Sequence, residues 1–166
     1  MRKCFYLIFS MLGLLTYTST ILAETASTTF TVSATVTNNC SVTANNLSFG
    51  NYDVLTGGAV DSSATISVVC TSGTSYNVGL NTGLGSGATV SSRKMTRISG
   101  GSDTLNYSLY QDASHSTVWG NTVGTDTETG TGTGSAQLLT VYGRLFASQN
   151  VPAASYQDTI TVTVTF

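Results

Sequence analysis

The stretch Thr159–Phe166 reads TITVTVTF. Ile160, Val162, Val164 and Phe166 alternate with threonines, so every second side chain is apolar. A period of two is the signature of a strand with one face on a core and the other in water. The same pattern recurs upstream. Thr28–Val36, TTFTVSATV, sets Phe30, Val32, Ala34 and Val36 against Thr29, Thr31, Ser33 and Thr35. Ile66, Val68 and Cys70 share one face of a run from Ala64, and Tyr76, Val78 and Leu80 share another. Leu105, Tyr107 and Leu109 alternate with Asn106, Ser108 and Tyr110, and Leu139, Val141 and Gly143 mark a strand within Leu138–Phe146. Cys40–Phe49 is a weaker strand through Val42 and Leu47. Lys94–Ile98 is ambiguous, and Val118-Trp119 sits in or beside a short strand. Gly50–Asp61 is rich in turn residues, Gly83–Gly87 is a Gly/Ser loop, and Gly120–Gly134 is a polar loop ending in GTGTG. Short strands separated by turn signals at this spacing predict an all-β sandwich or barrel, the sandwich being favoured with about seven strands.

Composition supports the same class. The chain is rich in Thr, Ser, Gly and Val, has one Pro, and only 8% of its residues are charged. Strands favour Thr, Val and aromatics, whereas helices are usually filled with Ala, Leu, Glu and Lys. The regular apolar alternation argues against a disordered Ser/Thr/Gly chain.

The first 23 residues are expected to be an export signal. Met1, Arg2 and Lys3 are followed by an apolar run over Phe5–Leu15, and Ile21-Leu22-Ala23 offers a cleavage site after Ala23. The run is shorter than the about 20 apolar residues a membrane span needs. The remaining chain, Glu24–Phe166, holds four basic residues (Arg93, Lys94, Arg97 and Arg144) against eight acidic ones. Three of those bases lie close together and form at best a local patch. Such a balance excludes a nucleic-acid role, which requires charge to neutralise phosphates.

Two cysteines remain after processing, Cys40 and Cys70. In an exported chain they have one way to pair, and an oxidising compartment preserves the bond. Two buried free thiols are the alternative.

Chemistry has little to work with. His115 is the only histidine and sits in a polar run, DASHST, where a solvated loop residue is the expectation. A lone His makes no metal centre. No Gly-x-Ser-x-Gly elbow presents a nucleophile to it. Asp126 and Glu128 lie two apart in a Gly/Thr loop and suit turn chemistry or weak calcium binding, the former being the expectation. GTGTG lacks the Lys-Ser/Thr and the helix of a phosphate loop. Trp119 and the tyrosines are read as core and edge packing in preference to a sugar platform. An enzyme is not expected, nor is any cofactor or metal.

The order of the pieces resembles the spore coat U domain proteins, which include the subunits of Csu-type archaic chaperone–usher pili. The resemblance runs through Asn39-Cys40-Ser41-Val42, Leu47–Tyr52 and Ile66–Thr71, then Leu105–Asp112. It resumes at Trp119-Gly120 and Thr140–Arg144 and closes with Ser155–Asp158 through Phe166. It implies an incomplete immunoglobulin-like β-sandwich, lacking its last strand and completed by a donor strand. The domain order it implies is a signal peptide over 1–23, a donor extension over 24–36 carrying Phe30, Val32, Ala34 and Val36, and a pilin domain over 37–166. The implied partners are a periplasmic chaperone, an outer-membrane usher and further pilus subunits. The C-terminal strand with Ile160, Val162, Val164 and Phe166 would face the core beside the missing strand and bind the chaperone. A surface pilus serving adhesion and biofilm formation is the implied function. A secreted coat protein or a tip adhesin are the alternatives, although the chain is short for the extra domain tip subunits carry.

Overall fold

The computed structural model describes residues 21–166, so most of the expected signal lies outside the described residues. Nine strands form among them: β1 (Cys40–Ala44), β2 (Val60–Cys70), β3 (Ser75–Leu80), β4 (Arg93–Arg97), β5 (Thr104–Tyr110), β6 (Glu128–Thr131), β7 (Gln137–Leu145), β8 (Tyr156–Gln157) and β9 (Val162–Thr165). They pair into two sheets. One has six strands in the order β1-β2-β7-β5-β4-β8, and the other has three in the order β6-β3-β9. Every pairing is antiparallel. No described helix is long and apolar enough to cross a membrane.

The alternation seen in the sequence becomes the core. Ile66, Val68 and Cys70 of β2 point inward with Tyr76, Val78 and Leu80 of β3, Leu105, Tyr107 and Leu109 of β5, and Val141 and Leu145 of β7. Trp119 is buried among them, and its indole Nε1 donates to the Val78 carbonyl at 2.8 Å. Its polar edge is thus satisfied while its large apolar area is removed from water. The expectation that Trp119 is a core residue holds.

Arg93 departs from the expected basic patch. Its side chain is fully buried, and it donates to the carbonyls of Asn81, Val90, Leu80 and Trp119 at 2.6–3.0 Å. Burial pushes the guanidinium down to about 10, so it stays charged at neutral pH. Four carbonyls that turn into the core around β4 therefore find a donor, and Arg93 acts as an internal pin rather than a surface cation.

Several sequence boundaries shift. β2 begins at Val60, inside the stretch expected to be turn, because Val60–Val68 pairs along its whole length with β7. β6 arises within the polar Gly120–Gly134 loop, which lacks apolar periodicity but pairs with β3. β4 resolves the ambiguity around Lys94, and β1 ends at Ala44, after which Asn45–Phe49 leaves the sheet. The count is nine strands instead of about seven.

Residues 21–35 contain no strand, and all their side chains are exposed, Phe30 by 86% and Val32 by 83%. The run expected as a strand over Thr28–Val36 thus forms no strand and pairs with no strand among the described residues. Ala34 and Val36 are exposed as well.

A cleft between two open strand edges

β9 is the last strand of the smaller sheet, so among the described residues only one of its backbone edges is paired, with β3. β1 is likewise an end strand of the larger sheet, paired among the described residues only with β2. The two strands approach each other across the sandwich. Toward one end, Cys40, Cys70, Val68 and Val78 pack together and the sheets are closed. Toward the other, the chain after Ala44 diverges from the segment that leads into β9. A cleft of about 650 Å³ opens there.

Its floor is core: Ile66, Leu80, Tyr107, Leu109 and Val141, with Met95. One wall is Ala44–Leu47 with Phe49, and the other runs through Tyr156–Ile160 to Val162. Leu47, Phe49, Ile160 and Val162 are only half-buried although they rest on buried neighbours. The Leu47–Phe49 wall lies close over β7 because residue 143 is glycine: a Cβ there would stand 2.9–3.0 Å from the Leu47 and Phe49 side chains. Phe49 meets the Tyr107 ring edge-on with centroids 5.9 Å apart.

One polar knot borders the cleft. The Tyr107 hydroxyl donates to Asp158 Oδ2 at 2.7 Å, and Asp158 Oδ1 accepts the backbone N–H of Leu84 at 2.7 Å and of Thr159 at 2.8 Å. The carboxylate sits where a Cβ of residue 83 would stand, and Gly83, at φ +82°, makes room for it. Burial, reinforced by the Asp158 carboxylate, raises the Tyr107 hydroxyl well above its ordinary value. The Tyr107–Asp158 bond therefore ties the floor of one sheet to the segment entering β9 at any physiological pH.

This arrangement offers an extended apolar surface and two rows of backbone groups unpaired among the described residues. An added strand would satisfy both, since main-chain hydrogen bonds supply affinity and alternate side chains fill the groove. No group of three or more His, Cys, Asp or Glu able to hold a metal exists among the described residues.

The expected site residues fall as follows. Cys40 and Cys70 are bonded, linking register partners on β1 and β2 at a Cα separation of 4.1 Å. Ile160 and Val162 line the cleft, and Val164 packs on the core next to it. Phe166 corrects the expectation. It follows the last register pair, Asn77 with Thr165, and its side chain is 55% exposed instead of facing the core. Phe30, Val32, Ala34 and Val36 lie exposed, as described above. His115 is a second correction: its side chain is only 6% exposed, because the turn that carries it folds onto the larger sheet. Sequence reasoning singled out neither Leu47, Phe49 and Met95 as cleft residues nor the Asp158–Tyr107 bond. The short alternation Leu47-Ser48-Phe49 was the only local signal for the wall.

The chain is 36% identical over 157 residues to Protein U of Myxococcus xanthus, covering 87% of each chain. It resembles a crystal structure of the CsuC–CsuE chaperone–tip adhesion subunit pre-assembly complex from the archaic chaperone–usher Csu pili of Acinetobacter baumannii. There the TM-score is 0.57 at 25% identity over 80% of this chain, which spans 40% of the matched chain. The Spore Coat Protein U domain matches residues 26–163, and the chain belongs to that family.

Proposed function

We propose that the protein is a structural subunit of a surface pilus assembled by a chaperone–usher route. Its cleft would receive the 24–36 segment of a neighbouring copy. The observation that carries this is the cleft itself, with an apolar floor and two unpaired strand edges. The exposed segment with Phe30, Val32, Ala34 and Val36 on one face has the complementary pattern. Burying a Phe or Val side chain is worth about 1.5–3 kcal/mol. The backbone bonds along the edge come in addition. A chaperone would occupy the cleft before the neighbouring segment does, and an outer-membrane usher would be the place of exchange. The resemblance to a chaperone-bound pilus subunit supports the chaperone's place in this scheme. Adhesion and biofilm formation would be the work of the finished fibre, displayed after export through the periplasm.

A second reading is a surface coat protein that assembles without forming a fibre, and the Protein U relative favours it. The two separate in one experiment. Val32→Asp should abolish fibres on co-expression with the cognate chaperone and usher while leaving the chaperone-bound subunit at normal levels, since an unpaired charge would have to enter an apolar groove. Thr31→Asp, on the opposite face, should leave fibres nearly unchanged. Normal fibres from Val32→Asp in electron micrographs would remove the donor role and leave the coat reading.

A further inference from the structure

On the far side of the larger sheet from the core, Asp61 of β2 and Arg144 of β7 are register partners. They form a two-pronged ion pair, Arg144 Nε to Asp61 Oδ1 and Nη2 to Oδ2, both at 2.7 Å. The turn following β5 folds against this pair. It is built around Asp112, whose carboxylate accepts the backbone N–H groups of Ser116 and Thr117 and the hydroxyls of Ser114 and Ser116. His115, in the middle, takes a left-handed backbone at φ +57°. That unusual conformation aims its ring back at the sheet, where the Tyr110 ring meets it edge-on at 5.0 Å.

The outcome is an imidazole with a 6% exposed side chain and no hydrogen-bond partner on either ring nitrogen. Nε2 lies 3.7 Å from Asp61 Oδ1, just beyond hydrogen-bond reach. Buried polar atoms are normally paired, so this ring calls for a reason. The ring is faced by Asp61 from β2 and Tyr110 from β5; Arg144 of β7 is bound to Asp61, Tyr142 lies next to Tyr110 on the same face, and Asp112 in its own turn gives its carboxylate to Ser114, Ser116 and Thr117.

We infer that His115 is a proton-operated latch: taking up a proton closes the Nε2–Asp61 gap into an ion pair and pins the Asp112–Thr117 turn onto the β2–β7 pair. Imidazole is the side chain whose charge ordinarily changes between about pH 5 and 8. Asp61 remains a charged acceptor through that range, because the Arg144 hydrogen bonds hold its carboxyl below its ordinary value, with a smaller contribution from His115. An ion pair that needs the protonated ring holds the turn in acid and is lost when the ring is neutral.

The test uses the full mature chain. Wild type and His115→Gln should differ little in Tm at pH 8, and the gap should widen by about 3 °C at pH 5.5. Amide protection at Ser116 and Thr117 should rise several-fold in acid in the wild type alone. A gap that stays constant with pH overturns the latch. An independent arm needs no His115 variant: the ring's NMR titration is followed in wild type and in Asp61→Asn. A midpoint that moves to lower pH in Asp61→Asn supports the ion pair, and an unmoved midpoint overturns it.

Discussion

The two ends of the sandwich are built from the same alternating sequence and finish in different states. At the closed end, Val68, Cys70, Val78 and Trp119 are at most 1% exposed. At the open end, Leu47, Phe49, Ile160 and Val162 carry equally apolar side chains and remain half-buried. Alternation alone therefore does not decide burial. The closed end has β1 disulfide-linked to β2 and the two sheets face to face. At the open end the chain leaves β1 at Ala44 and enters β9 only at Val162, so no strand lies between the edges. The difference localises what the single chain leaves unfinished to one cleft.

The largest effect that sharpens this contrast belongs to the closed end. Trp119→Ala should destabilise the chain by about 3–5 kcal/mol, the usual range for emptying a buried Trp site. It also leaves the Val78 carbonyl without its 2.8 Å donor. Urea unfolding of the isolated subunit would measure it. A loss below about 1 kcal/mol would mean that the closed end is not the stable part of the molecule.

Replacing both Cys40 and Cys70 by Ser should come next. The bond spans 30 residues. By the chain-entropy account, opening such a loop costs about 3–4 kcal/mol. Because the bridge holds β1 to β2 at the closed end, its loss should let the β1 edge move and reduce the yield of exported subunit. Thiol titration of the unfolded, unreduced wild type should find no free thiol in the mature chain.

Val162→Ala probes the open end. In the isolated chain Val162 is half-buried, so trimming it should cost about 1 kcal/mol or less. In a subunit whose cleft is filled, the same change should cost about twice as much, since the side chain is then fully enclosed. Equal costs in both states would break the comparison, because the two ends would then be equally finished without an occupant.

How much of this was legible beforehand follows from the physics of each element. β2, β3, β5, β7 and β9 carry period-two apolar faces, and their existence was readable from the sequence. β6 was not, because Glu128–Thr131 is polar on both faces and owes its existence to pairing with β3. The Cys40–Cys70 bond followed from two cysteines in an exported chain. The cleft was foreseeable only through the family resemblance, since a missing strand leaves no residues to read. Its Leu47–Phe49 wall depends on Gly143, about a hundred residues away. Arg93 and His115 misled for a shared reason: each is polar in a polar neighbourhood, and tertiary packing, not local pattern, decides that each is buried. Phe166 misled in the opposite sense, continuing the apolar alternation one step beyond the last register pair.

The smallest expected effect is a control placed away from the cleft. Arg144→Gln removes the two-pronged bond to Asp61 on the sheet's outer side. Both side chains are more than a third exposed, 37% and 47%, so solvent screens the pair. Such an exposed pair contributes little. The sign with pH is fixed by Asp61. Its carboxyl is held below its ordinary value, first by the Arg144 hydrogen bond. A depressed carboxyl contributes stability that is present above the unfolded-state value of 3.8 and disappears as pH falls through the lower folded-state value. The wild type should thus exceed Arg144→Gln by a small margin near neutrality, and the two should converge in strong acid. Because the pair lies on neither wall of the cleft, that margin should be the same with the cleft empty or filled, unlike the Val162→Ala margin. If Arg144→Gln also changed with cleft occupancy, the two faces of the larger sheet would be coupled, and the open end could no longer be treated as a local defect of an otherwise finished sandwich.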